Sequence, residues 1–158
     1  MLLTELIGYH SDITTIQECD RKVFNRDLIP VMDNYGFTGK FFKKGGQVDE
    51  GLATLYRTDK FRLVESCSVF LPDALHNDSK YSYILDKVKD NERLLASLTN
   101  RTTTLSIVVL EQLSTGKIII VGNTHLYFEP NADHIRLIQA EMCRVEIESG
   151  IGSTSITL

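Results

Sequence analysis

Long apolar runs are missing from this sequence: no stretch approaches the roughly 20 residues that a membrane-spanning helix needs. Basic charge is scarce as well. A formal net charge of −4 leaves no general cationic surface for nonspecific nucleic-acid binding. A phosphate-bearing substrate would therefore need a local site or a cation to neutralise it. The opening residues, Met1-Leu2-Leu3-Thr4-Glu5, lack a basic segment, a long apolar run and a small-residue cleavage site. They read as neither a secretory signal nor an Arg-rich transit peptide. Cysteine is limited to Cys19, Cys67 and Cys143, an odd number without metal-ligand spacing. A reduced, intracellular protein is the expectation. The sequons Asn77-Asp78-Ser79 and Asn100-Arg101-Thr102 carry little weight without a secretory signal.

What is present suits one globular domain: 158 residues, 42% hydrophobic and 24% charged, enough to bury a core. Leu2, Leu3, Leu6 and Ile7 predict a short helix. Ile13–Ile16, wholly β-branched, predicts a strand that stops at Gln17-Glu18-Cys19-Asp20. Leu28, Ile29, Met32 and Tyr35 have helical spacing, and residues 37–42 look extended. Residues 52–57 and 61–65 flank Thr58-Asp59-Lys60 as a hairpin candidate. The polar segment 72–82 reads as a surface loop. Residues 84–98 predict one helix or two short ones. Alternation over 104–109 and the run Ile118-Ile119-Ile120-Val121 predict strands. Ile135, Ile138, Met142 and Val145 share one helical face. No internal repeat or linker is visible, and residues 150–158 read as a divergent, disordered tail.

Two polar clusters end apolar strands: Gln17-Glu18, and Asn123-Thr124-His125. In α/β proteins, sites gather outside strand ends, where side chains converge on a fixed backbone. A carboxylate there suits magnesium, which keeps several waters and takes one or two protein carboxylates. A nearby histidine can donate a hydrogen bond to a phosphate oxygen. Alone, each signal is weak, since a glutamate or histidine ending a strand is commonly solvated or structural.

Taken in order, "IQECD" (16–20), "EGLATLYR" (50–57) and "VGNTHLYFEP" (121–130) followed by "IRLIQ" (135–139) form a more specific set. Together they resemble the endonuclease/exonuclease/phosphatase superfamily of magnesium-dependent phosphodiesterases, in the branch containing the deadenylases. The similarity runs from about Leu2 to about Val145. The resemblance implies a four-layered α/β sandwich, incomplete at both ends, with residues 1–149 as part of a catalytic domain. It implies Mg2+ at Glu18, His125 at the scissile phosphate, and Asn123 supporting that strand tip. The implied substrate is adenylate-rich RNA, 2′,5′-oligoadenylate or poly(A). The implied compartment is the mitochondrial matrix or cytoplasm.

Weaker candidates surround these. Tyr127 and Phe128 could stack a base, although adjacent strand residues point opposite ways and core packing is the alternative for one of them. Glu50 is either a substrate contact or a solvated loop carboxylate. Arg136 could reach a phosphate or lie at a solvent edge. Lys40, Lys43 and Lys44 read as a solvated face. The superfamily's later "GD-x-N" strand and terminal "DH" pair have no counterpart, because Asp133-His134 follows "FEP" directly. Weak metal binding and little turnover by these 158 residues are therefore expected. The other reading is a non-catalytic remnant that binds RNA weakly or self-associates through exposed sheet edges. No membrane or protein partner is indicated.

Overall fold

The structure is a computed structural model that describes residues 2–153. Helix α1 (Leu2–Gly8) leads into strand β1 (Ile13–Asp20), then α2 (Arg21–Val23) and α3 (Ile29–Asp33). The two helices are joined by a π-helical segment, Phe24–Leu28. Pro30 explains the widening. It has no N–H for the carbonyl four residues back, and Ile29 instead donates five residues back, to the Phe24 carbonyl. Strands β2 (Phe37–Lys43), β3 (Glu50–Arg57) and β4 (Phe61–Phe70) follow. Next come helices α4 (Leu71–Asn77), α5 (Ser82–Val88) and α6 (Glu92–Thr99), strands β5 (Thr104–Gln112) and β6 (Ile118–Thr124), and helix α7 (Asp133–Ser153). Among the described residues no helix is long and apolar enough to cross a membrane.

The strands form two antiparallel three-stranded sheets, ordered β1-β3-β2 and β4-β5-β6. The central strands β3 and β5 are buried along nearly their whole length. On β5, Leu105, Ile107 and Val109 pack under α4–α7, while Val108 and Leu110, with Phe61 of neighbouring β4, meet Tyr56 from the other sheet. Ala53 and Leu55 of β3 face Phe24, Leu28 and Met32. The layers are therefore helix, sheet, sheet, helix, the expected four. Full burial of one leucine such as Leu55 contributes about 1.5–3 kcal/mol. Two-sided burial of the central strands is what holds the strand tips in place.

Several local expectations change. Segments 52–57 and 61–65 are not a hairpin. Both neighbours of β3 are already β1 and β2, so the turn at 58–60 carries the chain into the other sheet. The expected loop 72–82 is helix α4 followed by a 3-10 turn, Ser79–Tyr81. Pro72 sits in the first turn, where its missing N–H costs nothing. Leu71, Leu75 and Tyr81 are buried, and the Tyr81 hydroxyl donates to Glu146. Helix α7 continues through residues 150–153 of the expected tail, and residues 154–158 lie outside the described residues.

Candidate active site

Strand β1 does not stop before Gln17; it runs on to Asp20 through a bulge. Ile16 pairs with Ala53 and Cys19 with Gly51, so Gln17 and Glu18 together oppose Leu52. Glu18 takes the left-handed conformation, φ 53°, which costs a non-glycine residue about 1–3 kcal/mol. Contacts on both sides offset that strain. The Gln17 side-chain amide donates to the Thr124 carbonyl at 2.8 Å. Beyond the bulge, the Asp20 carboxylate caps α2, accepting from Lys22 N at 2.7 Å and Val23 N at 3.0 Å. The backbone N–H groups of Val23 and Lys22 hold its carboxyl below the usual range. Opposite the bulge, Gly51 is required, because a Cβ there would lie 2.1 Å from the Phe42 carbonyl oxygen.

The second tip is the end of β6. Asn123 is only 3% exposed, and its amide nitrogen donates across to the other sheet, to the carbonyls of Ile16 (3.2 Å) and Ala53 (3.1 Å). Thr124 Oγ1 donates to the Thr104 carbonyl at 3.0 Å. His125, the next residue, is brought to Glu18: its Nδ1 lies 3.5 Å from Glu18 Oε1. That is ion-pair range for a protonated ring but long for a good hydrogen bond, so both groups retain capacity for a ligand. Glu18 keeps 60% of its side chain exposed and His125 32%.

A cleft of about 240 Å³ opens here, with Glu18, His125, Lys44, Thr102 and Phe128 in its walls. Lys44 comes from the glycine loop after β2 and is fixed by Glu50, Nζ to Oε1 at 3.1 Å. The same loop is pinned by Gly45 N donating to Thr104 Oγ1 at 3.2 Å. The Phe70 ring fills the place of a Gly45 side chain, 2.1 Å from an ideal Cβ. The site thus presents one carboxylate, one imidazole and one ammonium around a space large enough for a phosphate group.

No protein-family model matches the chain. By sequence, 2′,5′-phosphodiesterase 12 of Mus musculus is 38% identical over 148 residues, which are 93% of this chain and 24% of that protein. The Yarrowia lipolytica CCR4-Not complex 3′-5′-exoribonuclease subunit Ccr4 is 34% identical over 164 residues, 93% of this chain and 21% of its own length. The chain thus spans about a quarter of the curated relatives it matches. By structure, ANGEL2, a 2′,3′-cyclic phosphatase in complex with adenosine-2′,3′-vanadate, superposes with TM-score 0.71 at 23% identity, covering 94% of this chain and 37% of that one. An endonuclease/exonuclease/phosphatase from Bacteroides vulgatus gives 0.67 at 19% identity, covering 96% and 51%. This is an endonuclease/exonuclease/phosphatase fold. Its sequence homologues include 2′,5′-phosphodiesterase 12 and Ccr4 proteins.

Within this endonuclease/exonuclease/phosphatase fold the weaker candidates fall into place differently. Arg136 is not free to meet a phosphate. It donates to the carbonyls of Tyr127 (3.1 Å), Glu129 (2.5 Å) and Pro130 (3.1 Å) and pairs with Asp133, so it shapes the loop after β6. Glu50 lies behind the cleft as the partner of Lys44 rather than in its wall. Tyr127 packs partly against the core under Arg101, whereas Phe128 is 78% exposed. Lys44, read as part of a solvated face, instead lines the cleft. Its signal was the Lys44…Glu50 pair flanking the glycine loop, where Lys44 N also donates to the Glu50 carbonyl at 3.1 Å. Thr102 and Thr104 were missed as well, although they stand just before and at the start of β5, a buried strand antiparallel to β6.

Proposed function

We propose that the Glu18–His125 cleft binds a phosphodiester of adenylate-rich RNA, 2′–5′ or 3′–5′ linked, with Glu18 holding a magnesium ion used in its hydrolysis. The observation that carries this is the 3.5 Å approach of a carboxylate and an imidazole from two different sheets. Support comes from the homologues, which are named as a phosphodiesterase and an exoribonuclease.

The donor set fits magnesium but not a tightly caged metal. Among the described residues no group of three or more His, Cys, Asp and Glu is arranged around one point. A single exposed carboxylate is what a hard, well-hydrated cation accepts, with substrate oxygens and water completing its shell. When bound, such an ion neutralises phosphate charge and acts as a Lewis acid on it. His125 donates a hydrogen bond to a nonbridging phosphate oxygen. Lys44 adds a positive charge on the other wall, oriented by Glu50. Asn123 and Gln17 fix the two tips against each other.

Hydrolysis also needs a group that orients the attacking water. Among the described residues, Glu18 is the one carboxylate lining the cleft. The 158-residue chain should therefore bind substrate and turn it over slowly, since a general base contributes about 10²–10⁴-fold.

The test is a magnesium titration followed by chemical shifts, with and without a non-hydrolysable phosphorothioate oligoadenylate. Weak binding centred on Glu18 is expected. Glu18→Gln should abolish the metal response, while His125→Ala should keep it and weaken the oligonucleotide. A metal response unchanged in Glu18→Gln would refute the assignment. Rapid hydrolysis lost in both variants would show that another group of this chain orients the water.

A further inference from the structure

A cavity larger than the Glu18–His125 cleft adjoins it. It measures about 680 Å³, lies between α6 and the turn entering α7, and has Arg93, Ser97, Arg101, Tyr127, Asn131 and His134 among its lining residues. That volume is in the range of ligand sites, about 300–1,000 Å³. The two spaces share a wall, for Arg101 and Tyr127 line both.

Arg101 is placed by packing rather than by charge. Its guanidinium stands 4.0 Å over the Tyr127 ring, and one Nη donates to the Tyr127 hydroxyl at 2.8 Å. Its Nε is buried without an acceptor. The one carboxylate in the cavity wall, Glu129, accepts from the Tyr127 hydroxyl at 3.1 Å. Among the described residues, Arg21, Arg57, Arg62, Arg136 and Arg144 all form ion pairs. Arg26, Arg93 and Arg101 form none, and two of these three line this cavity. A chain of net charge −4 has thus left two arginines without carboxylate partners on one hollow beside a phosphate site. An unneutralised guanidinium with donors to spare is the side chain best suited to a phosphate.

We infer that this cavity takes the sugar–phosphate backbone of the same RNA strand, beyond the linkage held at Glu18 and His125. Arg101 meets a phosphate at the junction and Arg93 meets one farther out. The inference rests on reading the cleft as a phosphodiester site and gives that site its preference for strands over dinucleotides. No new chemistry is involved, only length-dependent affinity.

The experiment is fluorescence anisotropy on the 158-residue chain with magnesium, using phosphorothioate oligoadenylates: a dinucleotide and a hexanucleotide. The hexanucleotide should bind more tightly. Arg93 is exposed and outside the cleft, so Arg93→Gln should weaken the hexanucleotide about tenfold and leave the dinucleotide unchanged. Arg93→Glu should weaken the hexanucleotide further. Arg101→Gln should weaken the hexanucleotide and lower the slope of log affinity against log salt by about 0.7, one single-strand phosphate contact. Equal affinity for both lengths, or Arg93 variants that bind the hexanucleotide like wild type, would overturn the subsite alone. A chain that binds neither length would overturn the reading of the cleft and this inference with it.

Discussion

Replacing Asn123 should damage stability and the site together. Its amide nitrogen is the only donor that the residue offers across the sheet interface, and it bonds both Ile16 O and Ala53 O. Each such bond is worth about 0.5–1.5 kcal/mol net, and buried carbonyls left behind raise the loss, so Asn123→Ala should cost about 2–3 kcal/mol. For a urea m-value of about 2 kcal/mol/M, the midpoint should fall by roughly 1 M. Asn123→Asp keeps the shape and is the sharper test. An ionised carboxylate can only accept, so it would set oxygens against two carbonyl oxygens in a site that is 3% exposed. Loss at neutral pH should exceed that of Asn123→Ala. The carboxyl pKa of that variant should be raised on folding, so its stability should be greater at low pH and fall as pH rises through that value. A protonated acid can still donate to one of the carbonyls. Ile16 immediately precedes the bulge, so Asn123→Ala should also blunt the magnesium response at Glu18. An Asn123→Ala stability within about 0.5 kcal/mol of wild type, or an Asn123→Asp more stable than Asn123→Ala at pH 7, would refute the argument.

Gln139 is 2% exposed; it accepts from Tyr127 N at 2.9 Å and donates to Thr103 Oγ1 at 3.0 Å, tying the loop after His125 to the start of β5. Gln139→Leu should cost about 1–3 kcal/mol and speed hydrogen exchange at Tyr127, and an amide as protected as in wild type would count against this role. Burial pushes the Cys143 thiol up to about 11 from an ordinary 9.0. The folded chain thus favours the neutral thiol, so stability should hold below about pH 9 and fall by about 3 kcal/mol as pH rises to about 11. Cys143→Ala should remove that part of the alkaline loss and keep the part due to buried Tyr81, whose hydroxyl is also raised, first by burial and then by Glu146. Urea melts at the two pH values compare them.

The sequence showed the elements because each carries its own period: alternation on β5, an unbroken aliphatic run on β6, helical spacing on α7; their stacking into four layers came from the family resemblance. It showed the strand tips because an aliphatic run such as Ile118–Val121, half-buried in the fold, ends abruptly in Asn123-Thr124-His125. It did not show that β3 and β4 belong to different sheets, since alternating strands read alike whether they pair or part. Helix α4 escaped because its buried set is only Leu71, Pro72 and Leu75 amid polar residues. Glu18 was legible as a carboxylate near a strand end, but its left-handed backbone leaves no mark in a sequence where glycine or asparagine would ordinarily signal one. Lys44 follows the end of β2 but in a run of lysines that reads as solvated, and Arg101 stands at no strand end. Sheet register and aromatic packing bring them to the site, and a single chain read in order contains neither.

The residues that meet solvent at the site and those that hold it are different in kind. Glu18 and His125 are largely free of hydrogen-bonding partners, while Gln17, Asn123 and Thr124 each spend their side chains on a carbonyl of another strand. That division follows from the strain. A glutamate held at φ 53° would relax if the strand on either side were free. Gln17 bonds to β6, Asn123 bonds to Ile16, and Asp20 closes the first turn of α2, so the two-residue bulge is fixed before, within and after. Two of these three contacts join the sheets, and the third joins the strand to its helix. Loosening the join between the sheets therefore shifts the carboxylate relative to His125 before the helical layers separate. The geometry of the cleft is a property of sheet packing rather than of the two residues that define it.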